Sequence, residues 1–270
     1  MPQENAEIDN SFGASLKRFS AKYFSLLQLS GWLILFIIWW LVTNFGIINT
    51  HVMPTPQKTW HSFVAMQSDD NLVSNILFSL RINVIGYLKC IAAALIVGFA
   101  IGLSPKVRRM FSQQVNALRF VPITALMGIF IAISGLTIVT KINFLAFGIW
   151  VYLVPVVVQR IDEVDHTHIQ MMKTLGASFW QTVRYVTWRS VIARLSDDIR
   201  ILVGISWTYI IVAELAGIQG GLGSLIFLGE RQSNVGKVYA VIFIIVAIGI
   251  IQDAIFKLID RLLFKFKYQQ

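Results

Sequence analysis

Five ionisable side chains sit in or beside long apolar stretches of this chain: Arg81, Lys89, Lys141, Arg200 and Glu214. A charge in apolar surroundings is costly unless it faces a protein interior or an aqueous passage, so each is a candidate for lining a route for polar solutes. The competing reading for Arg81, Lys141 and Glu214 is an anchor at the outer boundary of the apolar layer. Lys89 has a stem long enough to carry its ammonium toward a polar boundary. Trp207 and Tyr209 offer aromatic walls to such a route, or ordinary aromatic packing. Other groups that do chemistry are scarce. His166 and His168 lie two apart, a spacing that splays them on a helix and argues against a shared metal. The glycine cluster GIQGGLGS at 217–224 lacks the spacing and the lysine of a phosphate loop. Cys90 is the only cysteine, which excludes an intramolecular disulfide. The expectation is no catalytic group, no metal site and no cofactor.

The elements that must position these residues follow from composition. The chain is 56% hydrophobic and 14% charged over 270 residues, with a mean hydropathy of +0.68, which places it among integral membrane proteins. About 20 apolar residues cross a hydrocarbon core of roughly 30 Å. Stretches at 26–45, 84–103, 120–133, 142–158, 199–215 and 238–256 approach or meet that requirement, so the expected fold is all-α with about six transmembrane helices. The net charge of +9 follows the same geometry. With the N-terminus inside, segments 1–25, 104–119, 159–200 and 257–270 carry 17 of the 23 Lys and Arg residues. That bias obeys the positive-inside rule, sets both termini in the cytoplasm, and removes the need for a nucleic-acid partner. The segments read as a cytoplasmic start at 1–25, a first helix and external stretch at 26–74, a permeation core at 75–258, and a basic tail at 259–270.

Between the fourth and fifth spans lies a cytoplasmic loop, 159–197, whose central part reads DHTHIQMMKTLGASFWQTVRYVTWRSVIARL. Ile169, Met172 and Leu175 recur at helical spacing before Gly176, and Val183, Val186 and Val191 after it. A helix–Gly–helix element of this kind is either a docking surface for a soluble partner or a segment lying on anionic lipid. Elsewhere, 59–66 has the pattern of a short amphipathic helix, and SPKVRR at 104–109 reads as a compact basic turn. Pro122 and Ser134-Gly135 predict an irregular hairpin, Pro155 a kink, and 217–226 a tight external turn with a re-entrant piece. Asp197 and Asp198 read as dipole-favoured acids at the start of the fifth span.

At these residues the chain resembles the permease subunits of type I ATP-binding-cassette importers, in the branch handling nitrate, sulfonates, taurine and bicarbonate. The family's cytoplasmic loop reads E-A-A-x-x-x-G, then nine residues, then I-x-L-P. Gln170-Met171-Met172-Lys173-Thr174-Leu175-Gly176 occupies the first part here, continued by Ala177, and Val186-Thr187-Trp188-Arg189 the second. The glutamate, both alanines and the proline are replaced, so the loop is a degenerate form. Stretches at 51–60, 118–131, 198–217 and 220–226 are also similar to the family, in order. The resemblance implies the MetI-like permease fold in a bacterial inner membrane. It implies a translocation path for a small solute, with Arg81, Lys141, Arg200, Trp207 and Glu214 as path candidates. Gln170, Met171, Met172, Leu175, Gly176 and Ala177 would dock a separate cytoplasmic ATPase, so the chain itself would not be an enzyme. Further implied partners are a second permease copy or homologue, an external substrate-binding protein and the lipid bilayer. An ion-coupled secondary transporter and a non-transporting membrane scaffold are the alternatives. The first needs midplane charges and inverted repeats; the second leaves the kinked spans unexplained.

Overall fold

The computed structural model describes residues 30–217 and 220–268. The expected cytoplasmic start at 1–25, the first four residues of the first span, and part of the glycine-rich turn lie outside the described residues. Among those described, every regular element is helical: α1 (Ser30–Asn44), α2 (Pro56–Asp69), α3 (Leu72–Leu103), α4 (Pro105–Leu118), α5 (Met127–Ser134), α6 (Ile138–Asp162), α7 (His166–Thr174), α8 (Phe179–Thr182), α9 (Trp188–Leu215), α10 (Leu222–Arg231) and α11 (Val235–Leu263). A π-helical stretch, Val183–Thr187, joins α8 to α9.

Three helices, α3, α6 and α11, are long and apolar enough to cross a membrane, and four spans result if a bent pair counts as one. Six were expected. The difference lies in α1, described over 15 residues, and in α9. At 28 residues α9 reaches about 42 Å, but its first half carries Arg189, Arg194, Asp197, Asp198 and Arg200. The bent pair is α4 and the segment Ile123–Ser134, which meet at 93° with Pro122, the expected helix breaker, at the break; Gly135, at the expected turn, ends α5 at φ +68°. The expected basic turn at 104–109 is corrected. Only Ser104 is a turn residue; its side chain accepts from the Val107 N–H at 3.5 Å, and Pro105 opens a 14-residue amphipathic helix. The helix α6 continues through Pro155, as membrane helices do when neighbouring groups compensate the missing N–H.

The axis of the fold is α6. It is pressed against α3 and α9, and Phe144, Leu145, Ile149, Leu153 and Val154 are fully enclosed. Lipid tails are as apolar as leucine, so this burial stabilises through close packing rather than through the hydrophobic effect. On α3, Gly86, Cys90, Ala94, Gly98 and Gly102 recur every four residues and let the backbones approach. A Cβ on Gly86 would strike Leu145, on Gly98 Val157, and on Gly102 Ile161. All three contacts share an offset of 59 positions, so α3 and α6 run parallel in one fixed register.

The next face of α3 is polar. Asn83 Nδ2 donates to Ser206 Oγ of α9 at 2.8 Å, and the Tyr87 hydroxyl donates to the Ile199 carbonyl. Together with Asn75 and Ser79 these form a second period-four stripe that ties α3 to α9 and α10. Elsewhere α2 seats on the start of α11. There Thr55 caps α2, and Lys237 pairs with Asp70 at 2.6 Å, nearly enclosed.

Candidate functional site

The loop between α6 and α9 forms a projecting helical finger. Asp165 caps α7, its carboxylate accepting from the Thr167 N–H at 2.8 Å, and that bond holds the carboxyl below its ordinary range. The helix ends where Gly176 adopts φ +74°. The Gly176 and Ala177 N–H groups then donate back to Lys173 and Met172 carbonyls, each at 3.0 Å, closing the turn as helix-terminating glycines do. Ser178 begins α8 with a complete capping box through Gln181. No residue of α7 is buried. Met171 and Leu175, one turn apart, are 57% and 76% exposed, Gln170 is exposed, and Met172 and Ala177 are half-buried. Among the described residues nothing covers the finger's apolar ridge.

The base of the finger is tied down. The Arg160 guanidinium donates to both Asp198 oxygens at 2.7 and 2.8 Å and to Glu163 at 2.6 Å. Arg194 donates to the Glu163 carbonyl at 2.9 Å, and Arg108 of α4 makes a two-pronged pair with Asp162. Arg160 also holds the Glu163 carboxyl below its ordinary range. Here the expectation for Asp197 and Asp198 is corrected. The α9 helix starts at Trp188, so both acids lie well inside it, beyond the reach of the N-terminal dipole. Asp198 instead receives Arg160, and Asp197 receives Lys267 at 2.5 Å. The bidentate, partly shielded Arg160–Asp198 pair fixes orientation better than a single surface bridge does.

At the opposite end, the structure brings two of the five path candidates together. Glu214 is fully enclosed near the end of α9. Ser79 Oγ donates to its Oε1 at 2.7 Å, and the Gly223 N–H donates to its Oε2 at 2.8 Å. The Leu222 N–H donates to Ser79 Oγ at 2.8 Å and the Gly221 N–H to Asn75 Oδ1 at 2.6 Å. The first turn of α10 has no cap of its own; α3 and α9 supply it. A Cβ on Gly221 would collide with the Glu214 carboxylate, and Gly221 sits at φ +102°, a double requirement for glycine; a Cβ on Gly223 would strike the Glu214 Cβ and the Ile211 carbonyl. Lys141 is enclosed beside this cluster, donating to the Gly217 carbonyl at 3.1 Å with its ammonium 5.4 Å from the Phe78 ring centre.

The other three candidates stand apart. Arg81 is exposed on α3. Arg200 pairs with Asp253 of α11 at 3.3 Å, and Trp207 Nε1 donates to Gln252 Oε1 at 2.7 Å. Tyr209 packs edge-on against Phe144 at 6.2 Å, the aromatic-packing alternative. Lys89 donates to Asn143 Oδ1 at 2.5 Å, a link from α3 to α6. Sequence reasoning missed Asn75, Ser79 and Asn83; their signal was polar residues recurring every four positions in an otherwise apolar helix.

Residues 90–265 match the model of the binding-protein-dependent transport system inner membrane component family. The chain belongs to that family. Among curated members, the putative aliphatic sulfonates transport permease protein of Bacillus subtilis is 26% identical over 87% of this chain and 85% of its own length. The taurine transport system permease protein of Escherichia coli is 24% identical over 72% of each. The fold matches the inward-facing MetNI methionine ABC transporter with a TM-score of 0.63 at 20% identity, over 70% of this chain and 94% of that one. The protein is therefore an all-helical permease subunit of an ABC transporter, multi-pass in the inner membrane. The projecting finger coincides with the degenerate signature loop of this permease.

Proposed function

We propose that this permease imports a small anionic solute of the sulfonate class, received from an external binding protein and driven by a separate cytoplasmic ATPase docked on α7. The observation that carries the docking assignment is the finger itself. A helix with no buried residue, an exposed Met171–Leu175 ridge and a salt-bridged base is built to fit a groove on another protein. The solute class rests on the sulfonate and taurine permeases among the relatives. The basic bias of segments 104–119 and 159–200 supports a cytoplasmic finger and cytoplasmic termini. Two copies, or this chain and a homologue, would enclose the path. Closure of the ATPases would then draw the paired fingers together and rock the subunits between outward- and inward-open states. In this reading Arg81 meets solute directly, whereas Lys141, Trp207 and Glu214 build the wall behind the path and Arg200 braces its inner end.

The test replaces the ridge without disturbing the interior: M171E/L175E in the full chain, co-expressed with the ATPase. Burying two such apolar side chains stabilises a contact by about 3 kcal/mol or more, so ATPase association should weaken at least ~100-fold while thermal stability stays within ~0.5 kcal/mol. Unchanged association and transport would refute the assignment of α7 as the docking element.

A further inference from the structure

Beyond the finger, the π-helical stretch Val183–Thr187 has a role that the transport reading does not use. Its i→i+5 winding brings residues five apart nearly above one another, where an α-helix would set them about 140° apart. Arg184 lies in this stretch and Arg189 in the first turn of α9 that follows it, and their guanidinium carbons lie 5.8 and 6.0 Å from the same Tyr185 ring centre. Both arginines are exposed. Among the described residues, no carboxylate comes within ion-pair distance of either, although Arg108, Arg160, Arg194 and Arg200 each have one. With Trp180 and Trp188 they line a pocket of about 520 Å³.

A second cavity shares Trp180, Val183 and Trp188 with the first and has the opposite chemistry. It is a groove of about 620 Å³ along the lower half of α3, bounded by Leu95, Ile96, Phe99 and Leu103 and open to the surroundings. Its floor runs from Ala92 to Ser104, about 18 Å of helix, close to the ~15 Å hydrocarbon depth of one leaflet. Ser104 ends α3, so the groove opens at the polar boundary, beside the two arginines. Trp188 stacks at a tilt on Phe99 at 5.2 Å and forms the partition between the cavities. Tryptophan and tyrosine concentrate at this depth of a bilayer.

We propose that this face is a binding site for an anionic phospholipid, with one acyl chain in the groove and the phosphate between Arg184 and Arg189. The length match and the charge complementarity at one shared wall select a lipid over a soluble phosphate, which has no use for the groove. They also select it over a soluble protein partner, which would not reach into a leaflet-deep slot. The site lies on the sides of α3 and the π-helical stretch, away from the α7 ridge, so it does not depend on which ATPase docks.

The full chain in detergent is titrated with phosphatidylglycerol or phosphatidylcholine, and bound lipid is counted by native mass spectrometry. Wild type should retain phosphatidylglycerol preferentially. R184A/R189A should bind it roughly thirty-fold more weakly, A100W should lose it by filling the groove, and R231A, removing an arginine that also lies over an aromatic ring, should bind as wild type does. No preference in wild type would overturn the proposal, as would equal retention by R184A/R189A and R231A. Equal competition by glycerol phosphate, which has no acyl chain, would reduce the site to an anion pocket and overturn it too. Loss of ATPase association in R184A/R189A with lipid retention intact would reassign the face to protein docking.

Discussion

Ser79 offers the sharpest test of how α10 is held. Its hydroxyl makes two interhelical bonds at once, donating to Glu214 at 2.7 Å and accepting from the Leu222 N–H at 2.8 Å, in a site with no exposure. Removing it in S79A strands a backbone donor and takes a bond from a carboxyl group. Interhelical bonds in membrane proteins average about 0.6 kcal/mol each, reaching about 1.7, while an unsatisfied buried group costs about 1–3 kcal/mol. Two bonds at the lower figure and one stranded donor at the higher bracket a loss of about 1–3 kcal/mol. Alanine's better helix propensity offsets up to ~0.5 kcal/mol of it. The matched control is S74A, where Ser74 lies exposed on the same helix and the propensity gain is identical. The difference between the two variants should therefore be about 2 kcal/mol, a midpoint roughly 4–8 °C lower. Cys90, the only cysteine and fully enclosed, provides the assay, because a thiol-reactive fluorophore labels it only on unfolding. A difference below ~0.5 kcal/mol would show that the cluster does not fasten α10, and the capping account would fail.

Two further outcomes follow from the packing and the brace. G98L forces a side chain into Val157 and should destabilise by about 1–3 kcal/mol or more through overpacking; G204A, with open space around it, should be neutral or stabilise by up to ~1 kcal/mol, and the same labelling assay reads both. For pH, the folded Glu163 carboxyl titrates below its unfolded value because Arg160 donates to it. Its contribution is present above the ordinary carboxylate range and is lost as pH falls through the lowered folded value. Protection of the α7 amides, corrected for intrinsic exchange, should thus fall only in acid, and E163Q should flatten that dependence; a fall starting near neutrality would contradict it.

Much of the helical order was legible because long apolar runs have few ways to satisfy their backbone other than helices. The finger was legible too, since Ile169, Met172 and Leu175 keep helical spacing up to a glycine. Three features were not. Helix ends in apolar runs leave no hydropathy contrast, so α3 begins at Leu72, well before the apolar run at 84–103. Asp197 and Asp198 marked a change of polarity rather than a helix start, because a helix that leaves the bilayer continues as a helix in water. The capping cluster unites Asn75, Ser79, Glu214 and Gly223 across more than 130 positions, a convergence that no local pattern displays. The path candidates were chosen for charge alone, and charge does not distinguish a solute contact from a cap such as Glu214.

The fixed register between α3 and α6 has a mechanical meaning. Val157 and Ile161 sit against notches left by Gly98 and Gly102, so sliding one helix along the other by even a single residue, about 1.5 Å, would drive branched side chains into backbone. Under the coupling proposed above, axial force applied at α7 would not be absorbed between these helices. It would pass along the roughly 38 Å length of α6, with α3 carried along as part of the same lever. The compliance that the proposed cycle requires would then lie elsewhere, and the 93° elbow at Pro122, inserted between the two helices in sequence, is a joint the chain provides.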